Sequence, residues 1–258
     1  MISITNYVRV KSLQEAYELN QKRTSRVLGG MMWMRLGNGR VVNAIDLSGL
    51  ELDYIEETEN EFRIGCMCSL RSLELHEGLN TYFQGAVKES VRHIVGVQFR
   101  NQATVGGSIF GRFGFSDVLT CFLALDTYVE LYEAGIVPLS EFINMKRDND
   151  ILVSVIIRKD GRTVRYLSER ITKTDFPQIA CCAANVNDTW YISVGARPMM
   201  AALVTEKCEM KEDKISDFAE SVTDKMKFGS NMRASAQYRK RLAQVCIKRA
   251  VAAIMESR

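Results

Sequence analysis

Two pairs of adjacent glycines give this sequence its clearest opening to chemistry: Gly29-Gly30 in "RVLGG" and Gly106-Gly107 in "ATVGG". Glycine tolerates positive φ and puts no side chain in front of its neighbours' N–H groups, so a Gly-Gly turn after a strand can form a nest for an anion. A pyrophosphate is the natural guest. Neither pair has the G-x-G-x-x-G or G-K-[ST] spacing of the common nucleotide-binding loops, so on spacing alone each also fits a plain tight turn. Shortly after the second pair, Ser116 can cap a helix, with Asp117 in its first turn.

Other reactive side chains are sparse. Cys66 and Cys68 are one residue apart in a strand-like run, and Cys181 and Cys182 are adjacent, so neither pair has the spacing of a chelating loop. They read as buried small hydrophobes, and an odd total of 7 cysteines fits reduced thiols better than a disulfide framework. His76 and His93 stand apart from any carboxylate motif and read as surface or core histidines. Chemistry here needs a borrowed cofactor. A formal charge of +3, from 34 basic and 31 acidic residues, is too even to argue for nucleic acid or an anionic membrane. The first twenty residues lack the basic start and apolar stretch of a signal peptide, and no apolar run reaches the roughly 18 residues of a membrane span, so the cytoplasm is the expected location.

The elements that must position the glycines can be read from pattern. Residues 2–10 alternate like a strand, and Ser12 with Glu15 forms a capping box opening a helix to about Lys22. Residues 25–50 read as strand, Gly-Gly turn, apolar segment, Gly-rich turn and strand. A hairpin around residues 58–60 follows, then helices at about 69–76 and 83–94, the second glycine pair, a helix from Ser116 to about Leu125, and a hairpin over 127–139. Beyond these come strands at 151–158 and 163–167, a hairpin turning at Asn187-Asp188, and a basic amphipathic C-terminal helix.

In combination the motifs are more specific. "RNQATVGGSI" followed by "SDVLTCFLALDTYVEL" resembles the second flavin motif of the FAD-binding domain of molybdenum hydroxylases, the family of the xanthine dehydrogenase and carbon monoxide dehydrogenase flavoproteins. "VLGG" is similar to that family's first flavin motif, "DFPQIACCAA…ISVGARPMMA" to its D-F-P stretch, and "RASAQYRKRLAQVCIKRAV" to its terminal helix. The likeness implies an α+β architecture: a PCMH-type, two-subdomain FAD-binding fold (residues 1–52, α/β, and 53–150, α+β) followed by a C-terminal sheet-plus-helices domain (151–258).

It further implies FAD between the first two parts, its pyrophosphate held by both glycine turns. Arg26, Val27, Leu28, Gly29, Gly30, Met31, Met32 and Trp33 would line the first turn, and Thr104, Val105, Gly106, Gly107 and Ser108 the second. Ser116 and Asp117 would complete the cradle, Asp117 accepting from the adenosine ribose, with Ile94 and Leu152 against the isoalloxazine. Arg100 is open to two roles, phosphate contact or structural ion pair. The implied partners are an iron–sulfur subunit and a molybdopterin-binding subunit of the same complex, with NAD or another acceptor taking electrons. A stand-alone flavin-dependent NADH reductase and a flavin-free assembly subunit are the alternatives. The departures are local: Met31 and Met32 replace the polar pair after the first Gly-Gly, and Ser108–Gly114, "SIFGRFG", replaces a smaller, more polar stretch and introduces Arg112.

Overall fold

A computed structural model describes residues 1–257 and is α+β, with three sheets. The first is a parallel sheet in the order β1-β3-β2, formed by β1 (Ser3–Arg9), β2 (Ser25–Leu28) and β3 (Arg40–Asp46). Helix α1 (Leu13–Asn20) joins β1 to β2, and its start follows from local chemistry: Ser12 Oγ accepts from the Glu15 amide, while Glu15 accepts from the Lys11 amide. Between β2 and β3 the chain makes the first glycine turn and a single 3-10 turn, Met34–Leu36.

The second part mixes β4 (Ile55–Glu57) and β5 (Glu61–Gly65) with short helices: α2 (Leu70–Leu75), α3 (Glu77–Tyr82), α4 (Ala86–Val91), α5 (Val97–Gln102), α6 (Val105–Phe110) and α7 (Asp117–Leu123). Then come β6 (Thr127–Leu131), β7 (Gly135–Pro138), α8 (Leu139–Phe142) and β8 (Leu152–Arg158). Their sheet runs β4-β5-β8-β6-β7, all antiparallel. β8 is its central strand. The run at 151–158, expected to open the third part, therefore belongs to the second, because Phe62 and Ile64 of β5 and Val129 of β6 need its apolar residues between them.

The third sheet is antiparallel, β12-β11-β10-β9, from β9 (Thr163–Arg170), β10 (Pro177–Val186), β11 (Thr189–Gly195) and β12 (Ala202–Lys207). Helices α9 (Ile215–Asp224) and α10 (Ala236–Glu256) cover one face. The other face packs on α4 and α7 of the second part. β10 is thus buried on both sides, and its alternation sorts the residues: Ile179, Cys181 and Ala183 join the core under α9 and α10, Ala180, Cys182 and Ala184 the main core. Asn187 and Asp188, both at positive φ, close the β10–β11 hairpin. Among the described residues no helix is long and apolar enough to cross a membrane.

Candidate functional site

The three parts meet around a cavity of about 690 Å³, within the roughly 300–1,000 Å³ usual for small-molecule and cofactor sites. Its walls include residues 26–34 from the first part, Thr104, Gly106–Ser108 and Gly111–Phe113 around α6, Ser116 and Asp117 at the start of α7, residues 147–152, and Arg170 and Phe176 from the third. Sixteen of the eighteen residues expected at a cofactor are in the lining; Arg100 and Val105 are the two that are not.

Arg100 resolves to the structural role. Buried at 4 % exposure, it gives Nε to Glu74 Oε2 at 2.8 Å, Nη2 to Glu74 Oε1 at 3.2 Å and Nη1 to the Ile94 carbonyl at 3.1 Å. Neither member of this bidentate pair lines the cavity. Burial alone would raise the Glu74 carboxyl, but its bonds to Arg100 and Arg71 outweigh that and hold it below the usual carboxylate value. Val105 is fully buried in the core.

The glycines act differently from the expected pair of nests. None of the four has positive φ. Gly106 and Gly107 sit in the first turn of α6, not in a strand-ending turn, and every amide there is used within the protein. Val105 donates to the Cys68 carbonyl (2.9 Å), Gly106 to the Cys66 carbonyl (2.8 Å), Gly107 to Thr104 Oγ1 (3.1 Å) and Ser108 to the Thr104 carbonyl (3.1 Å). Glycine is required because backbone meets backbone: a Cβ on Gly106 would lie 2.7 Å from the Cys66 carbonyl oxygen, and one on Gly30 only 1.8 Å from that of Gln102. The two motifs pack on each other, so the close approach is by the protein itself.

The first turn is where donors remain. Among the described residues, the amides of Gly30, Met31 and Met32 donate to no protein group. The positive φ there falls on Met31, at 56°, which gives the reversal of amide direction that an anion nest needs. Met31 supplies by strain what glycine was expected to supply freely. Two more strained residues line the same cavity, Val95 (φ 51°) and Arg112 (φ 46°), and for a β-branched residue this region is a real outlier.

Asp117 is held by the third part. Ser116 Oγ accepts from the Leu119 amide and so caps α7. Asp117 Oδ1 then receives the Tyr166 hydroxyl at 2.5 Å and Arg170 Nη2 at 2.6 Å. Burial pushes its carboxyl up, opposed by the Arg170 guanidinium. Both of these bonds fall on Oδ1, and the residue lines the cavity.

A wall of aromatic rings also lines the cavity. Trp33 stacks on Phe176 (centroids 5.4 Å, planes at 29°) and meets Phe115 (5.3 Å) and Phe99 (6.2 Å) edge-on, while Phe113 stacks on Phe115 at 5.3 Å. These rings come from four separated segments, so only proximity in the fold reveals them; the aromatic density of "SIFGRFGF" was the available hint. Cys66 also lines the cavity, but burial pushes its thiol up to about 12, which removes it as a nucleophile. His76 caps α3 through Nδ1 and His93 accepts from Arg92, so neither enters the site. Among the described residues no group of His, Cys, Asp and Glu could hold a metal ion.

A family model described as "FAD binding domain in molybdopterin dehydrogenase" matches residues 3–159. The chain belongs to this family. The match ends one residue after β8, where the second sheet closes. FAD is accordingly the cofactor and oxidoreduction the chemistry of the family. The "Uncharacterized protein YgfM" of Escherichia coli strain K12 is 26 % identical over 170 residues, which span 62 % of this chain and 61 % of that protein. The fold matches that of solved chains over almost its whole length. A chain in the structure of quinoline 2-oxidoreductase from Pseudomonas putida 86 aligns at TM-score 0.86 and 17 % identity, covering 99 % of this chain and 98 % of that one. A chain of carbon monoxide dehydrogenase from Hydrogenophaga pseudoflava, in the form lacking the Mo-pyranopterin moiety, aligns at TM-score 0.86 and 20 % identity, covering 99 % of each.

Proposed function

We propose that this chain is the FAD-binding electron-transfer subunit of a multi-subunit molybdenum hydroxylase, with the flavin in the cavity described above. The observation that carries the reading is that the amides of Gly30, Met31 and Met32, which have no protein partner, belong to residues lining a cavity that also has an aromatic wall. A pyrophosphate needs the first and a planar ring system suits the second. When bound, FAD accepts electrons singly or in pairs and passes on a hydride or single electrons.

The chain's own residues bind, orient and enclose. The amides of the first turn take the pyrophosphate, where Met31 and Met32 offer no hydroxyl. Thr104 and Gly107 form the facing wall and fix the gap, since Gly29 and Gly107 approach until a Cβ on Gly29 would lie 4.0 Å from Gly107 Cα. Asp117, anchored through Oδ1, presents Oδ2 to a ribose hydroxyl. Ile94, Leu152 and the rings around Trp33 exclude water from the apolar part of the ligand. Electrons arrive from an iron–sulfur subunit, the substrate is hydroxylated on a molybdopterin-binding subunit, and NAD or another acceptor takes the electrons away.

The sequence contains two tryptophans, which makes a direct test available. Trp33 is 39 % exposed in the cavity wall, whereas Trp190 is fully buried in the separate core under α9 and α10. Titrating the purified chain with FAD gives a yellow complex and quenches Trp33 emission; Trp33→Phe removes most of that response and Trp190→Phe leaves it. Folded protein that stays colourless in excess FAD, with Trp33 emission unmoved, refutes the reading and favours a flavin-free assembly subunit.

A further inference from the structure

Arg112 and Arg147 stand together at the C-terminal end of α6 and both line the cavity. Arg112 is 6 % exposed, gives Nη1 to the Met145 carbonyl at 2.6 Å, and rests its guanidinium on the Phe142 ring at 3.9 Å. Its Nε is enclosed with no hydrogen-bond partner. Arg147 gives Nη2 to the Gly111 carbonyl at 3.0 Å. Among the described residues neither guanidinium has a carboxylate within ion-pair distance.

The acids around them are committed elsewhere. Asp150 receives the amides of Glu133, Ala134 and Ile151, Asp117 is paired with Arg170, and Asp148 accepts the Asp150 amide at 3.2 Å. Burial, and then the nearby charge of Arg147, lowers the Arg112 pKa, with Asp148 the one group opposing it. Two like charges held together, one of them buried, are costly unless an anion joins them. Arg112 is also kept inward by a strained backbone at φ 46°, a conformation that needs a return.

We infer that Arg112 and Arg147 form a second anion subsite of the cavity, which takes a phosphate of a pyrophosphate-bearing ligand and replaces the polar side chains missing at Met31 and Met32. The assignment rests on the reading of the cavity as a flavin site, and it names the ligand's chemistry more closely: the subsite takes the second phosphate of a pyrophosphate. FAD and ADP carry that group; FMN and riboflavin do not.

Binding to the purified full chain separates the possibilities, with Trp33 emission reporting flavins and calorimetry reporting ADP. Arg147→Gln is the primary variant because that side chain is exposed; Arg112→Met is the second. Loss of one charge-assisted hydrogen bond at a partly wet site weakens FAD and ADP about tenfold. FMN and riboflavin change by less than about twofold in the same variant, and the salt dependence of FAD binding becomes shallower. Equal weakening of all four ligands, or FAD and ADP affinities unchanged in Arg147→Gln, overturns the subsite while leaving the flavin reading intact. A wild-type chain that binds ADP but no flavin, with ADP weakened in the variant, supports the subsite and removes the flavin reading. Wild-type protein binding none of the four overturns both.

Discussion

Gly30→Ala decides whether the glycine pairs serve the ligand or the fold. The added Cβ lies 1.8 Å from the Gln102 carbonyl oxygen, 2.5 Å from its carbon and 2.9 Å from Ala103 Cα, against about 3.4 Å for an ordinary contact. All three atoms are backbone, so no side chain can turn aside; the first turn must separate from the segment that leads into α6. Overpacking usually costs about 1–3 kcal/mol, and an overlap of this depth against main chain sits at or above the top of that range. With roughly 2–4 °C of melting temperature per kcal/mol for a chain this long, the variant melts about 6–12 °C below wild type. The assay is thermal unfolding without FAD, so that lost ligand cannot contribute. Gly39→Ala is the control, because nothing lies within 4 Å of its Cβ and its φ is not positive. A Gly30→Ala protein that melts with wild type yet has lost FAD refutes the packing argument and returns the glycine to the ligand.

Arg100→Met breaks the bidentate pair and leaves Glu74 buried beside Arg71 alone, so it costs about 3–5 kcal/mol in denaturant unfolding while FAD affinity stays within about twofold. The pH dependence of that pair follows from the lowered Glu74 carboxyl. Its stabilisation is fully present above the ordinary value of 4.5 and is lost as pH falls through the lower folded-state value, so wild type and Glu74→Gln converge in melting temperature in acid. Val95→Gly releases a left-handed β-branched residue that is 46 % exposed and packs little, and raises the melting temperature by a few degrees for about 1 kcal/mol.

Local signals in this sequence translated well into structure, and long-range ones did not. The caps at Ser12 and Ser116, the Asn187-Asp188 turn and the helix over 236–256 each depend on contacts within a few residues, so their residue types suffice to find them. The alternation that sends Cys181 and Cys182 into different cores is likewise written in adjacent positions. The place of β8 is not, because its partners Glu61–Gly65 and Thr127–Leu131 are chosen by a sheet whose strands are distant in sequence. Arg100 shows the same limit: its neighbours "RN" and "ATVGG" suggest phosphate, and only the position of Glu74 on α2 decides for an ion pair.

The glycine pairs show why a motif can be recognised correctly and explained wrongly. A run such as "ATVGGS" reports that side chains are excluded, but not by what. Counting amide partners separates the cases, since a nest requires N–H groups with nowhere else to donate. By that measure the second pair is spent on Cys66 and Thr104, while the amides of Gly30, Met31 and Met32 in the first turn stay open with the help of a strained Met31. On the proposed reading the second motif contributes shape and the first contributes hydrogen-bond donors. On that reading the backbone of the first turn donates to the ligand while the side chains of Met31 and Met32 supply no polar contact. The proposed anion subsite then takes the ligand's remaining charge elsewhere on the cavity wall, where Arg112 and Arg147 lie at the opposite end of the same short helix whose first turn the second glycine pair makes possible.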